Sequence, residues 1–202
     1  VNTHVLTLRT VGEGTVTSSP ELELYDERST VTLTAAAATG WKLAGWSGDA
    51  AGDSGSVVVG MASDRSVTAT FADATAPVVS LASPNGAEVL TAGDVHPITW
   101  TATDNVAVSN ILLELSTDGG STWATIADGV DNASSFAWTV PALPGMTAHV
   151  RVTARDAAGN ASADASDANF EIQANTTLTR VFAMRADSST GTGCYPIPGA
   201  QG

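Results

Sequence analysis

The chain reads as all-β, two consecutive modules followed by an extended C-terminal tail, on three observations. Apolar and polar residues alternate with period two in many short runs, no stretch carries a convincing helical period, and turn-forming residues recur between the runs. Successive strand side chains point to opposite faces, so each run offers one face to a core and one to water. In the first third, Val31, Leu33 and Ala35 oppose Thr30, Thr32 and Thr34, and Val67, Ala69 and Phe71 oppose Ser66, Thr68 and Thr70. Gly12-Glu13-Gly14, Ser47-Gly48-Asp49 and the run from Gly52 to Gly55 tolerate positive φ or bond their own backbone, and are expected as turns. The segment Asp73-Ala74-Thr75-Ala76-Pro77 breaks the pattern and sets the expected boundary, with one module at 1–74 and the next at 75–174.

The second module alternates more cleanly. His96, Ile98, Trp100 and Ala102 form one row; Ile111, Leu113 and Leu115 a second; Phe136, Trp138 and Val140 a third; Val150, Val152 and Ala154 a fourth; Phe170 and Ile172 a fifth. Between the members of the fourth row stand His149, Arg151, Thr153 and Arg155, all polar, as one wet face requires. Short strands at this spacing predict a β-sandwich, two sheets burying these rows against each other. The tail, 175–202, is rich in Ser, Gly and Pro toward its end, and a strand is expected at 177–185.

Composition bounds the function. The chain has 202 residues, of which 43% are hydrophobic and 14% charged, enough for real cores and too few charges for a charge-driven disordered chain. Its 21 acidic residues against 8 basic ones give a net charge of −13, which repels nucleic-acid backbones and anionic membranes. No apolar run is long enough to insert in a bilayer. The lone Cys194 excludes an internal disulfide and a multi-cysteine metal cluster, leaving an inert thiol or an intermolecular link. Lys42 is the single lysine, and the dominance of Thr, Ser, Ala, Val, Asp and Gly is common in secreted and surface proteins of bacteria. The start at Val1 rather than methionine is expected of a processed chain or an excised piece.

Two resemblances follow from the residues. Val11-Gly-Glu-Gly-Thr-Val16, Thr30-Val-Thr-Leu-Thr-Ala35, Gly45-Trp-Ser-Gly-Asp49, and Met61 with Ser63-Asp64 and Ser66-Val-Thr-Ala-Thr-Phe71 resemble the divergent internalin-type B-repeat over about residues 4 to 72. One departure is Ala36-Ala37-Ala38-Thr39, where that family often has a proline. The resemblance implies a small β-rich spacer or adhesive module without catalytic positions. Ser83-Pro-Asn-Gly86, Ile98-Thr-Trp-Thr-Ala-Thr-Asp-Asn105, Leu115-Ser-Thr-Asp-Gly-Gly-Ser-Thr-Trp123 and Arg151-Val-Thr-Ala-Arg-Asp-Ala-Ala-Gly-Asn160 resemble bacterial immunoglobulin-like or fibronectin-like modules over about 76 to 172. Such modules sit behind secreted proteases and glycosidases and in adhesins, so the fold alone fixes no function.

Individual motifs are weighed by the chemistry they need. Gly52-Asp53-Ser54-Gly55 has the letters of a serine-protease nucleophile loop, but His4, His96 and His149 all lie outside the context that family uses, and a turn is the expected role. Ser116-Thr-Asp-Gly-Gly-Ser-Thr-Trp123 fits an Asp-box hairpin in which Asp118 bonds turn amides, Gly119 and Gly120 permit the backbone, and Trp123 packs beneath. One copy predicts a stabilised turn rather than a propeller. No paired carboxylates, histidine cluster or phosphate loop stands in a recognisable catalytic context, so no enzyme is expected.

Asp73, Asp104, Asn105, Asp156 and Asn160 fall in loops and at the module boundary, a pattern that resembles calcium-stabilised junctions in extracellular repeats; calcium takes six to eight oxygens, and these residues supply some of them if the loops converge. The alternative is that they serve turns. Of Trp41, Trp46, Trp100, Trp123 and Trp138, most belong to core rows, and Trp46 in a Gly-Trp-Ser-Gly turn is the one expected to be exposed for carbohydrate contact. Asn132, Asn160 and Asn175 begin Asn-x-Ser/Thr sequons.

The expected function is a non-catalytic extracellular or cell-surface structural or adhesive protein, a stalk or filament subunit. Its expected partner is another copy or a neighbouring module, joined by strand addition through Leu178, Val181 and Phe182. The alternative is a carbohydrate-binding or spacer region of a larger secreted hydrolase, with polysaccharide as the partner.

Overall fold

A computed structural model describes residues 2–175, and the expected strand at 177–185, with Leu178, Val181, Phe182 and Cys194, lies outside the described residues. Among the described residues every regular element is a strand. The N-terminal elements are β1 (Thr3–His4), β2 (Leu6–Val11), β3 (Gly14–Ser19), β4 (Tyr25–Asp26), β5 (Thr30–Ala37), β6 (Trp41–Gly48), β7 (Ser56–Gly60) and β8 (Arg65–Asp73). Two three-stranded sheets, ordered β2-β8-β6 and β3-β5-β7, enclose a core of Val31 and Leu33 from one and Val67, Ala69 and Phe71 from the other, closed by Met61 and Tyr25. These are the residues of the alternating rows, each buried while its Thr or Ser neighbours stay half or fully exposed. β2 runs parallel to β8, while β6 pairs with β8 antiparallel.

The second group comprises β9 (Val78–Ser83), β10 (Val89–Thr91), β11 (Val95–Thr103), β12 (Val108–Ser116), β13 (Ala124–Val130), β14 (Ser135–Thr139), β15 (Gly145–Asp156), β16 (Ala161–Ala165) and β17 (Phe170–Gln173). A sheet ordered β10-β17-β15-β12-β13, with β16 also on β15, packs against a second sheet ordered β14-β11-β9. The twelve-residue β15 is long enough to pair with β17 through Gly145 and Ala148 and with β16 through Arg151 to Arg155. Ile98, Trp100, Ile111, Leu113, Val150, Val152, Phe170 and Ile172 fill the core, each at most 2% exposed. Trp138 meets Phe170 edge-on at 6.5 Å between ring centroids.

Two local expectations are corrected. Gly45-Trp46-Ser47-Gly48 is the end of β6 rather than a free turn; a register shift between Leu43 and Gly45 bends the strand there. Trp46 is buried, 6% exposed, and its indole N–H donates to the Ser54 carbonyl at 2.7 Å. The exposure expected for carbohydrate contact is absent at that ring, because the Gly-rich loop from Gly52 to Gly55 folds over it, with the Trp46 amide also donating to Gly52.

Candidate functional site

The first core's last strand ends at Asp73 and the second core's first strand begins at Val78, so four residues, Ala74 to Pro77, cross between them. Asp73 is the final residue of β8, Asp104 and Asn105 follow β11, Asp156 ends β15, and Asn160 immediately precedes β16. Strand ends are where backbone amides leave the ladder, so Asp and Asn are placed to satisfy them with their own side chains. One carboxylate oxygen from each of Asp73, Asp104 and Asp156 lies within 4.8 Å of the other two. The dispersed Asp and Asn residues of the sequence therefore converge.

Each carboxylate is oriented by hydrogen bonds. Asp73 Oδ1 accepts the Thr75 amide at 2.9 Å and the Asn105 side-chain amide at 3.2 Å. Asp104 Oδ2 accepts the amides of Val106 and Ala107 at 2.9 and 3.0 Å, which closes its loop. Asp156 Oδ1 accepts the Asn160 amide at 2.8 Å and its Oδ2 accepts Asn160 Nδ2 at 2.6 Å. Burial pushes the Asp156 carboxyl up, but the bonds from Asn160 and from the backbone of Gly159 and Ala158 outweigh it, so it titrates below its ordinary value. Asn160 Nδ2 also reaches the Asp73 carbonyl at 3.3 Å. Both asparagines thus act as amide donors that hold carboxylates, whereas the sequence pattern had placed them among the oxygen donors.

Two oxygens remain. Asp73 Oδ2 and Asp104 Oδ1 are buried without a hydrogen-bond partner among the described residues, and Asp73 as a whole is only 7% exposed. Among the described residues, no lysine, arginine or histidine forms an ion pair with Asp73, Asp104 or Asp156. The crossing segment is tied on both sides. The Ala74 amide and Thr75 hydroxyl donate to the Gly40 carbonyl at 2.8 and 3.1 Å, and the Ser162 hydroxyl donates to the Pro77 carbonyl.

The remaining motifs have structural roles. In the Asp-box, Asp118 accepts the Thr122 amide, the Thr122 hydroxyl and the Ser116 hydroxyl at 2.8, 2.6 and 2.7 Å. Those donors pull its carboxyl down to about 2. Arg151 lies 4.3 Å from the Trp123 ring centroid and pairs with Glu114 at 2.7 Å, so the face of β15 read as wet is half-covered. Asn132 ties the β13–β14 loop to β11, accepting the Trp100 indole N–H at 3.1 Å and donating to the Ala102 carbonyl at 3.0 Å. Ser54, in the loop between β6 and β7, lends its carbonyl to Trp46. A Ser–His contact that sequence reading missed, Ser83 Oγ to His96 Nε2 at 3.1 Å, joins β9 to β11; among the described residues no carboxylate is bonded to that imidazole, as a catalytic triad would need. Two shallow hollows beside the β14–β15 loop are lined by residues such as Leu143, Pro141 and Ala92, with no ionisable side chain.

Fold and junction together define a tandem of two β modules. Residues 4–75 match the family model of the divergent InlB B-repeat domain, and residues 83–151 match that of the Kre9/KNH-like N-terminal Ig-like domain. The resemblances read from the sequence are thereby shown for both modules, the second match covering less than the 76–172 expected. No curated protein matches the chain. Among solved structures, the fibronectin(III)-like modules of Clostridium thermocellum CbhA are similar at 11% identity, with 86% of this chain and 92% of that one covered and a TM-score of 0.43. B-repeat and Ig-like families are typical of extracellular or surface proteins and are usually structural, non-catalytic modules.

Proposed function

We propose that this chain is a non-catalytic extracellular spacer whose two β modules are held at a fixed separation and angle. The observation that supports this best is the tied four-residue crossing, in which Gly40 of the first module and Ser162, Asn105 and Asn160 of the second bind Asp73 to Pro77. A flexible linker leaves its backbone to water; this one is fastened on both sides. Assembly into a stalk or filament adds strand pairing between copies, with Leu178, Val181 and Phe182 of one chain laid against an open edge such as that of β13 in another.

The spacer reading is tested by spin-label distances in Cys194→Ser carrying Thr17→Cys and Thr125→Cys, exposed positions in different modules. One narrow distance distribution is expected, and a broad one would overturn the reading. Strand addition is tested separately by deleting residues 176–202. Loss of oligomers with both modules still folded is expected, and oligomers that survive would remove the tail from assembly. The accessory-region alternative requires retention on polysaccharide. Burial of Trp46, Trp100 and Trp138 counts against an aromatic platform at those rings.

A further inference from the structure

We infer that the junction binds one calcium ion through the carboxylates of Asp73, Asp104 and Asp156. This deepens the spacer reading and rests on it in one respect, since Asp73 comes from the first module and the other two ligands from the second. Among the described residues, Asp73, more than nine-tenths buried, leaves Oδ2 without any hydrogen-bond partner, and Asp104 leaves Oδ1 likewise, beside a third carboxylate and with no cationic side chain paired to any of the three. Buried anionic oxygens are costly unless something positive meets them.

The donor chemistry selects the ion. All three ligands are hard carboxylate oxygens, and neither a thiolate nor an imidazole belongs to the cluster, which disfavours zinc and copper. Magnesium keeps most of its water and takes one or two carboxylates in a strict octahedron, whereas calcium accepts more carboxylates in a looser shell. The three carboxylate oxygens, within 4.8 Å of one another, are close enough to converge on one such ion. The hydrogen bonds already described hold the carboxylates in place: Asn105 and Thr75 occupy Asp73 Oδ1, the Val106 and Ala107 amides occupy Asp104 Oδ2, and the free oxygen of each is left for the ion. Asn160 ties Asp156 to the Asp73 carbonyl and so joins ligands from both modules. Three ligand side chains leave the six-to-eight-fold shell to be completed by water and backbone carbonyls, as in extracellular calcium sites of about 0.1–1 mM affinity.

The test uses the full chain, stripped with EGTA and titrated calorimetrically with calcium chloride and, separately, magnesium chloride. Saturable binding of one calcium per chain is expected, with magnesium at least about tenfold weaker and a rise in melting temperature of roughly 5 °C at tenfold excess over the dissociation constant. Asp104→Asn keeps an oxygen for the Val106 and Ala107 amides but removes the charge, and should weaken calcium binding at least about tenfold while the chain stays folded. No binding up to about 10 mM, well above the range of extracellular sites, would overturn the inference, as would equal binding of magnesium or an Asp104→Asn chain that binds unchanged. Spin-label distances separate the two readings. Absence of calcium binding with a narrow distance distribution removes the ion and leaves the spacer; calcium binding with a broad distribution does the reverse.

Discussion

The indole of Trp46 stacks into the first core with its N–H on the Ser54 carbonyl, although its four-residue context, Gly-Trp-Ser-Gly, has the composition of an exposed turn. Glycine density misled the reading because here the glycines serve a bent strand and the close approach of another loop. Truncation should therefore register in stability and not in ligand binding. Trp46→Ala is expected to destabilise the first module by about 3 to 5 kcal/mol, as loss of a buried aromatic does, while polysaccharide retention in affinity electrophoresis stays at the wild-type level. A fall in retention without a fall in stability would restore the ring as a binding residue. Gly12 makes the complementary case. It has φ of +77°, and a Cβ there would sit 2.2 Å from the Phe71 carbonyl oxygen, a backbone atom that cannot swing away. Gly12→Ala should cost about 2 kcal/mol or more, from the left-handed backbone and the clash together, read by urea unfolding; a cost below about 0.5 kcal/mol would mean that β2 and β8 separate freely there.

Among the elements, strands with a dry and a wet face were legible from alternation alone. β5, β8, β11, β12 and β15 stand where their Val, Leu, Ile and Trp rows placed them. β1 to β4, β6, β7, β9, β10, β13 and β16 were not read, and for β13 and β16 the reason is physical. Ala161–Ala165 alternates Ala with Ser and Asp, and Ala124–Val130 interrupts its pattern with Asp128 and Gly129, so neither announces a buried face. The β12–β13 connection was readable because an Asp-box encodes its own hydrogen bonds. It carries a pH prediction. The folded Asp118 carboxyl titrates at about 2, below its ordinary value of 3.8, because the Thr122 hydroxyl, the Thr122 amide and the Ser116 hydroxyl favour the charged form. A depressed folded value means that the contribution is fully present above the unfolded value and fades as pH falls toward the folded one. The stability gap between the wild type and Asp118→Asn should accordingly be constant from neutral pH down to about 5 and shrink between about 4 and 2. Comparing the two chains cancels the contributions of Asp156 and of Asp49, which the Ser66 amide holds down. A gap that persists unchanged at pH 2 would show that the turn is held by shape rather than by the carboxylate's charge.

Across the molecule, two separate cores meet at one short crossing, and the coupling between them is set by a few named bonds. The sequence placed Asp73, Asp104 and Asp156 near a boundary because Asp and Asn clusters mark strand ends, yet alternation says nothing about which loops converge. That required the β11–β12 and β15–β16 loops to emerge at the same end of the sandwich. The bonds from Asn105 and Asn160 to Asp73 exist only while the second module is folded, so melting that module should loosen the end of β8 in the first. Leu113→Ala removes a fully buried side chain from the second core and should destabilise that module by about 2 to 5 kcal/mol. Hydrogen exchange at Ile111–Leu115 and at Val31–Ala35, measured with EGTA present, reads the two cores separately. In the wild-type background, Leu113→Ala is expected to accelerate exchange strongly in the second core and more weakly in the first. The weaker effect reflects the loss of two hydrogen bonds worth about 0.5 to 1.5 kcal/mol each. In an Asn105→Ala, Asn160→Ala background those bonds are already gone, so the same substitution should accelerate the second core alone, and the effects on the first should fail to add. Exchange in the first core that ignores Leu113→Ala in both backgrounds would mean that the modules fold independently and that the crossing fixes geometry without sharing stability.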